Sequence, residues 1–198
     1  MARTGRPREF DRDKAIDAAM NAFWERGFES TSLSELRDLL NLSSASFYAA
    51  FGSKKSLYEE CLKRYSETCG EVTSYLVDLS KSPREAMSDM LKHTIQIQTS
   101  STSPLGCMAV LSGIHCSEDN KEVEELAFTV RKQTRDAILG CVKRGVEQGE
   151  LPVATDIETY TLMLDSFVKG IAIQAKDGAS SDALLKAADC LLLSWKQA

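Results

Sequence analysis

Long hydrophobic runs are missing from this sequence: no uninterrupted apolar stretch approaches the ~20 residues a membrane-spanning helix requires, so no membrane association is expected. The stretch from Met1 to Phe10 is basic and polar with no apolar segment, which argues against a secretory signal and predicts a cytoplasmic address. No segment alternates apolar and polar residues with the period of two that strands show, so an all-α fold is expected. There is no Gly-rich phosphate loop and no CxxC pair, and the only histidines are His93 and His115. These absences leave little for a nucleotide site, a zinc ribbon or acid–base catalysis, and neither a cofactor nor a metal is expected.

What is present suits a soluble protein. The 198 residues are 43% hydrophobic and 27% charged, enough for one large domain or two small ones with ample core. The net charge of −5 would count against a nucleic-acid partner if it were evenly spread. It is not: residues 1–64 hold 11 Lys and Arg against 10 Asp and Glu, whereas the remainder holds 13 against 19. Arg3, Arg6 and Arg8 form a short basic arm (1–9) suited to phosphates or a minor groove, although a merely soluble tail reads the same way.

The stretch from Ser32 to Lys54 carries the most information. Ser32 and Glu35 precede Leu36, Leu39 and Leu40 as a capping box, in which each satisfies an orphan N–H of a helix start. Asn41 tolerates the left-handed conformation that stops a helix and turns the chain. Ser43 can cap a second helix that Gly52 ends, with Leu42, Phe47 and Phe51 on its inner face against Leu36 and Leu40. Two short helices at so tight a turn make a helix-turn-helix. The outer face of the second helix shows Ser44, Ala45, Ser46, Tyr48 and Ala49, with no Arg, Asn or Gln for bidentate base contacts. Base readout is therefore expected to be modest, and DNA shape to carry more of the specificity. Tyr48, Lys54 and Lys55, with Thr31 and Ser32, suit phosphate, and Ser43 completes the candidate DNA-binding set.

These residues carry a resemblance. The runs Phe10 to Lys14, Phe23 to Phe28, Thr31 to Leu33, Leu42 to Tyr48, Phe51, and Lys54 to Tyr58 resemble the N-terminal domain of the TetR family of bacterial transcriptional regulators, over about the first third of the chain. The resemblance implies a DNA-binding regulator, a repressor released from a near-palindromic double-stranded operator by a small-molecule effector. It also implies a three-helix DNA-binding domain over residues 1–52 and an effector-binding and dimerisation domain over 53–198.

Helical periodicity runs through the rest and predicts about nine helices, the larger C-terminal part being a bundle. Asp11 to Arg26 supports the reading pair. One long helix is expected from about Ser53 to Leu79, and another from the capping box Ser82/Glu85 to about Gln98. After a polar linker, Pro104 is expected to start a short helix through Cys107, Met108, Leu111 and Ile114. A long amphipathic helix follows, then one opened by a box of Thr155 and Glu158, then a last helix after Gly178. The final two, within 155–177 and 180–197, are too apolar all round to face water, so a homodimer built on a four-helix interface is expected.

In the resembling family the C-terminal domain holds a ligand cavity. Candidate effector-binding residues are His93, Ile97, Cys107, Met108 and Leu111, with Phe128, Tyr160, Met163 and Phe167 across from them. Six cysteines are many for a cytoplasmic protein of this size, which opens an alternative: a thiol- or metal-responsive regulator using Cys107 and Cys116. Cys141 and Cys190 lie in apolar stripes and read as core. A remoter alternative is a cysteine-dependent enzyme pairing Cys107 with His93 or His115, for which the sequence provides no orienting group.

Overall fold

In the computed structural model, residues 10–195 are described; Arg3, Arg6 and Arg8 of the basic arm lie outside them. Among the described residues there are ten α-helices, one 3-10 turn and no strand. No helix among them is long and apolar enough to cross a membrane.

The N-terminal helices follow their caps. Helix α1 (Arg12–Arg26) starts where the Asp11 carboxylate accepts the Lys14 N–H, and it buries Ile16, Ala19, Met20, Phe23 and Trp24. Helix α2 (Leu33–Leu40) has the full Ser32/Glu35 capping box, and Asn41 ends it at φ 53°, ψ 46°. Helix α3 (Ser44–Phe51) begins with the Ser43 hydroxyl accepting the Ser46 N–H. Phe47 and Phe51 turn inward onto Leu36, with Leu40 and Leu42 packed at the edge. Each buried ring contributes about 1.5–3 kcal/mol of transfer free energy, which fixes the angle between α2 and α3 far better than their short length could.

The expected helix from Ser53 to Leu79 is broken, and this accounts for the tenth helix. Helix α4 (Lys54–Glu67) stops, and after a turn α5 (Thr73–Val77) begins. The Gly70 N–H folds back to the Tyr65 carbonyl at 2.7 Å. A Cβ at Gly70 would stand 2.3 Å from the Tyr65 ring, so only glycine lets the chain pass there. The Glu71 carboxylate then accepts from the Thr73 hydroxyl and the Ser74 N–H, starting α5.

Helix α6 (Pro83–Gln98) has the expected box at Ser82 and Glu85. Helix α7 (Met108–Leu111) is shorter than expected: Pro104 to Cys107 is a loop, and Ile114 is exposed. Gly106 decides this, because its φ of 81° is left-handed and a Cβ there would lie 2.6 Å from Leu111 Cδ1 and 2.7 Å from the Ala172 carbonyl oxygen. A 3-10 turn (Glu118–Asn120) leads into α8 (Lys121–Glu147). Helix α9 (Ile157–Lys176) is capped by Asp156, not by the expected Thr155/Glu158 box. The Asp156 carboxylate accepts both the N–H and the hydroxyl of Thr159, and as a capping acceptor aspartate outcompetes threonine. Helix α10 (Ser181–Leu192) starts at Ser180.

Two cores result. The first gathers α1 to α4 around Phe23, Trp24, Phe47 and Tyr58, and takes in Met108, Val123 and Ala127 from α7 and α8. The second gathers α5, α6, α8, α9 and α10 around Met87, Leu91, Ile138, Leu164 and Trp195. Cys141 lies in the second core, but Cys190 is exposed, against expectation, because it falls on the outer side of α10. Leu162 and Ile173 on α9 and Leu193 at the end of α10 are likewise more than half exposed.

Candidate nucleic-acid interface and effector cavity

The outer face of α3 is shaped as its sequence pattern predicts. Ser44, Ala45, Ser46, Tyr48 and Ala49 are all exposed, while Phe47 between them is fully buried. This presents a smooth, small-residue surface with a single phenol, narrow enough for a helix to enter a major groove. Ser43 and Ser46 share a hydroxyl–hydroxyl hydrogen bond of 2.9 Å, so the α3 cap is tied to the first turn of its own helix before any partner arrives.

Other candidate residues sit differently. Thr31 is fully buried, its hydroxyl donating to the Gly27 carbonyl at 2.8 Å, so its side chain is withdrawn from the interface set. It closes the α1–α2 corner instead. Ser32 is exposed, but its N–H donates to Glu35 at 2.7 Å and its hydroxyl accepts the Glu35 N–H. These bonds hold Glu35 below the usual carboxylate range. The Lys54 ammonium lies 4.0 Å above the Phe28 ring. Burial lowers its pKa against the opposing pull of Glu29. Lys55 pairs with Glu122 of α8. Lys54 is thus held within the head, at the α1–α2 corner, and Lys55 is committed to α8.

Further contacts bind the reading head to the rest of the chain. The Phe28 N–H donates to the Ser112 carbonyl at 2.9 Å, and Tyr58 and Ser112 share a buried hydroxyl bond of 2.7 Å. The Glu29 carboxylate accepts from the Ser117 N–H and hydroxyl and from Asn120, which lowers its pKa. The Trp24 indole N–H donates to the Gly106 carbonyl at 3.1 Å, and the Gly106 N–H donates to the Gln98 carbonyl at 2.9 Å. A continuous hydrogen-bonded path therefore joins α1 to the C-terminal end of α6.

That end of α6 borders a cavity of about 50 Å³. Tyr65 and Cys69 wall it from the end of α4, Ile97 and Gln98 from α6, Cys107 and Val110 from the α7 region, Val130 and Arg131 from α8, and Asp165 and Lys169 from α9. Asp165 is 2% exposed and Gln98 5%. Asp165 pairs with Lys169 through Oδ2, but its Oδ1 and the Gln98 Oε1 are buried with no partner. An unsatisfied buried acceptor costs about 1–3 kcal/mol, so these two oxygens are a local cost of the packing around the cavity. The Tyr65 hydroxyl donates to Cys107 Sγ at 3.2 Å, and its ring meets Trp24 edge-on at 4.8 Å. Burial pushes both the Cys107 thiol and the Tyr65 phenol up, keeping each protonated.

Of the candidate effector-binding residues, Ile97 and Cys107 line this cavity. The others do not. Met108 is fully buried in the first core, and Leu111 packs by Gly106. The His93 ring lies tilted against Tyr75 with centroids 5.0 Å apart, and Tyr160 meets Trp195 edge-on at 5.8 Å. Phe128 and Met163 are exposed, and Phe167 lies against the second core. An apolar stripe identifies the inner side of a helix, but not the point along it where packing leaves a space. Gln98, Asp165 and Lys169, which also line it, do not stand out in the sequence, because a glutamine at a helix end and an acid four residues before a lysine read as ordinary surface residues. The signal available was their position: Asp165 sits beside Leu164 and Val168 on an otherwise apolar helix.

Cys107 and Cys116 do not share a site. Cys116 lies near Glu29 and Glu124, its N–H donating to Glu124, while Cys107 faces the cavity. Neither His93 nor His115 is among the cavity residues that surround Cys107. Among the described residues no cluster of three or more His, Cys, Asp or Glu could hold a metal ion.

Comparison with known proteins agrees with this arrangement. Residues 15–61 match the family model described as bacterial regulatory proteins of the tetR family. The chain is 28% identical over 194 residues to the transcriptional repressor ComR of Escherichia coli, covering 98% of this chain and 92% of ComR. It is 28% identical over 183 residues to the repressor BdcR of the same organism, covering 91% of this chain and 86% of BdcR. Among solved structures, a cysteine mutant of the TetR family regulator CifR complexed with 26-bp double-strand operator DNA superposes with a TM-score of 0.88 at 33% identity, over 96% of this chain and all of that one. With a relative 33% identical over the whole of its chain, and with residues 15–61 matching the family model, the chain belongs to the TetR family of bacterial regulatory proteins.

Proposed function

We propose that this protein is a homodimeric, cytoplasmic transcriptional repressor that binds a near-palindromic operator through α3 and releases it when a small molecule fills the cavity beside Tyr65 and Gln98. Catalysis has no part in this role. The observation that carries the reading is the link between cavity and head: Tyr65 walls the cavity while its ring packs on Trp24 of α1. A ligand that favours a wider cavity displaces α4 and α1 together, and with them the spacing of the two α3 helices in the dimer. Only a difference in ligand affinity between the two arrangements drives release.

Residues 1–52 serve as the DNA-reading domain and 53–198 as the effector and dimerisation domain, α4 being the shared element whose inner face completes the first core. The exposed apolar residues Leu162, Ile173 and Leu193 support dimerisation through α9 and α10. A dimer sets its reading helices about 34–36 Å apart, one turn of DNA. Selection of genomic fragments on the purified protein should enrich a near-palindrome with half-sites at that spacing. Recovery of no common sequence would overturn the proposal.

A further inference from the structure

We infer that the cavity takes a small monoanion, a carboxylate on a short apolar tail, through a cationic mouth formed by Arg131, Arg135 and Lys169. The inference rests on the effector reading above and concerns only what binds and where it enters. The mouth lies where two voids meet. A surface cleft of about 270 Å³ runs between α8 and α9, bordered by Phe128, Arg135 and Leu139 on the first helix and by Glu158 on the second. Arg131 and Lys169 line this cleft and also line the internal cavity, so their side chains form the partition between the two. Each is held by its tip: Arg131 donates to the Ala109 carbonyl at 2.7 Å, and Lys169 pairs with Asp165. Side chains of this length reorient by changing rotamer, so the partition opens without any shift of the helices.

Charge selects the head of the ligand. The chain as a whole carries a net charge of −5, but this spot is positive. Lys132 is neutralised by Asp136 at 2.6 Å, and Lys169 by Asp165. Arg131 and Arg135 form no ion pair among the described residues, and they stand four apart on α8, hence on one face of it. The cleft contains one further carboxylate, Glu158, which leaves one positive charge unmatched. A monoanion balances it, and a guanidinium grips a carboxylate through two parallel N–H···O bonds. A cationic ligand would add to the surplus, and a neutral one would leave it as it is.

Polarity and size select the tail. Ile97, Val110, Val130 and Val168 make the cavity wall largely apolar. A carboxylate taken fully inside would lose its water next to the buried carboxylate of Asp165, so the head stays in the open cleft and only the tail passes the partition. A buried water needs roughly 10–15 Å³ of such space, so the observed 50 Å³ holds a tail of about three to four carbons. The head competes with the Ala109 carbonyl for Arg131. Ala109 packs in the first core with Phe23 and Trp24, so a ligand that draws Arg131 away loosens the hold of α8 on α7 and, through it, on α1.

The test compares pentanoate with pentanamide, its neutral counterpart of the same heavy-atom count, and with pentylammonium and acetate. Thermal shift and calorimetric titration near neutral pH, on the full-length protein without DNA, read binding. Pentanoate should bind at least about tenfold more tightly than pentanamide, the worth of one hydrogen bond to a charged group, and pentylammonium should bind more weakly than either. Affinity should rise about threefold per methylene from acetate to pentanoate as the tail is buried. Added salt should erode the advantage of pentanoate over pentanamide. Arg135→Gln should remove most of that advantage and leave the melting temperature of the free protein nearly unchanged. Equal binding of pentanoate and pentanamide, stronger binding of pentylammonium, acetate binding as tightly as pentanoate, or no binding of any probe would each overturn the inference. The comparison of probes needs no variant, so it stands even if Arg135→Gln fails to fold. Failure of operator selection would leave these results intact, and failure here would leave DNA binding intact.

Discussion

Trp24→Phe isolates the link between cavity and reading head. Trp24 is 1% exposed, and its indole N–H makes one buried hydrogen bond, to the Gly106 carbonyl at 3.1 Å. Phenylalanine keeps a ring against Tyr65 but supplies no donor. The Gly106 carbonyl is then left buried without a partner, at a cost of about 1–3 kcal/mol. The lost pyrrole volume leaves a small void costing about 1 kcal/mol more. The sum, about 2–4 kcal/mol, corresponds to a fall in melting temperature of roughly 5–15 °C for a chain of this size. Calorimetry measures the stability, and fluorescence polarisation of a labelled operator measures function. Below the lowered melting temperature the variant should bind operator within about threefold of wild type, because α3 is untouched, while the effector concentration needed for release rises several-fold. A variant as stable as wild type, or one with an unchanged effector response, would refute the coupling path.

Further outcomes follow from single contacts. Gly106→Ala places a Cβ 2.7 Å from the Ala172 carbonyl at a left-handed φ, so it should destabilise by at least about 2 kcal/mol in urea unfolding. Ser43→Ala removes the α3 cap and should cost about 1 kcal/mol by the same measurement, with a parallel loss of operator affinity because the reading helix frays. Tyr48→Ala alters a half-exposed side chain, so it should weaken operator binding about tenfold and leave the melting temperature nearly unchanged. Glu29 and Glu35 titrate below their ordinary 4.5 because they accept hydrogen bonds from Ser117, Asn120 and Ser32. Groups with a depressed folded pKa contribute stability above the unfolded value and lose it as pH falls through the folded one, so the melting temperature should decline below about pH 4.5. Glu29→Gln should flatten that decline.

Much of this protein is decided by neighbours in the chain. Ser32 with Glu35, Ser43 with Gly52 and Ser82 with Glu85 satisfy backbone groups a few residues away, so the helices they start are legible without any knowledge of the fold. Asn41 can turn the chain because of its own backbone tolerance, and the inner and outer faces of α3 separate by helical period alone. The helix-turn-helix, the all-α class and the family all follow from such local chemistry. What depends on residues distant in sequence was decided only in three dimensions. The turn after α4 needs glycine at 70 because the Tyr65 ring occupies the space a side chain would take, and Gly106 holds a loop because Ala172 stands behind it. Thr31 is buried and Lys54 is drawn onto Phe28 because the head packs against its own α1–α2 corner. The cavity is the clearest case: it exists where five segments fail to fill the space between them, and no single helix carries that information. Gln98 and Asp165 in its wall read as surface along the chain, and only the packing of the helices buries them and strips one oxygen of each of water.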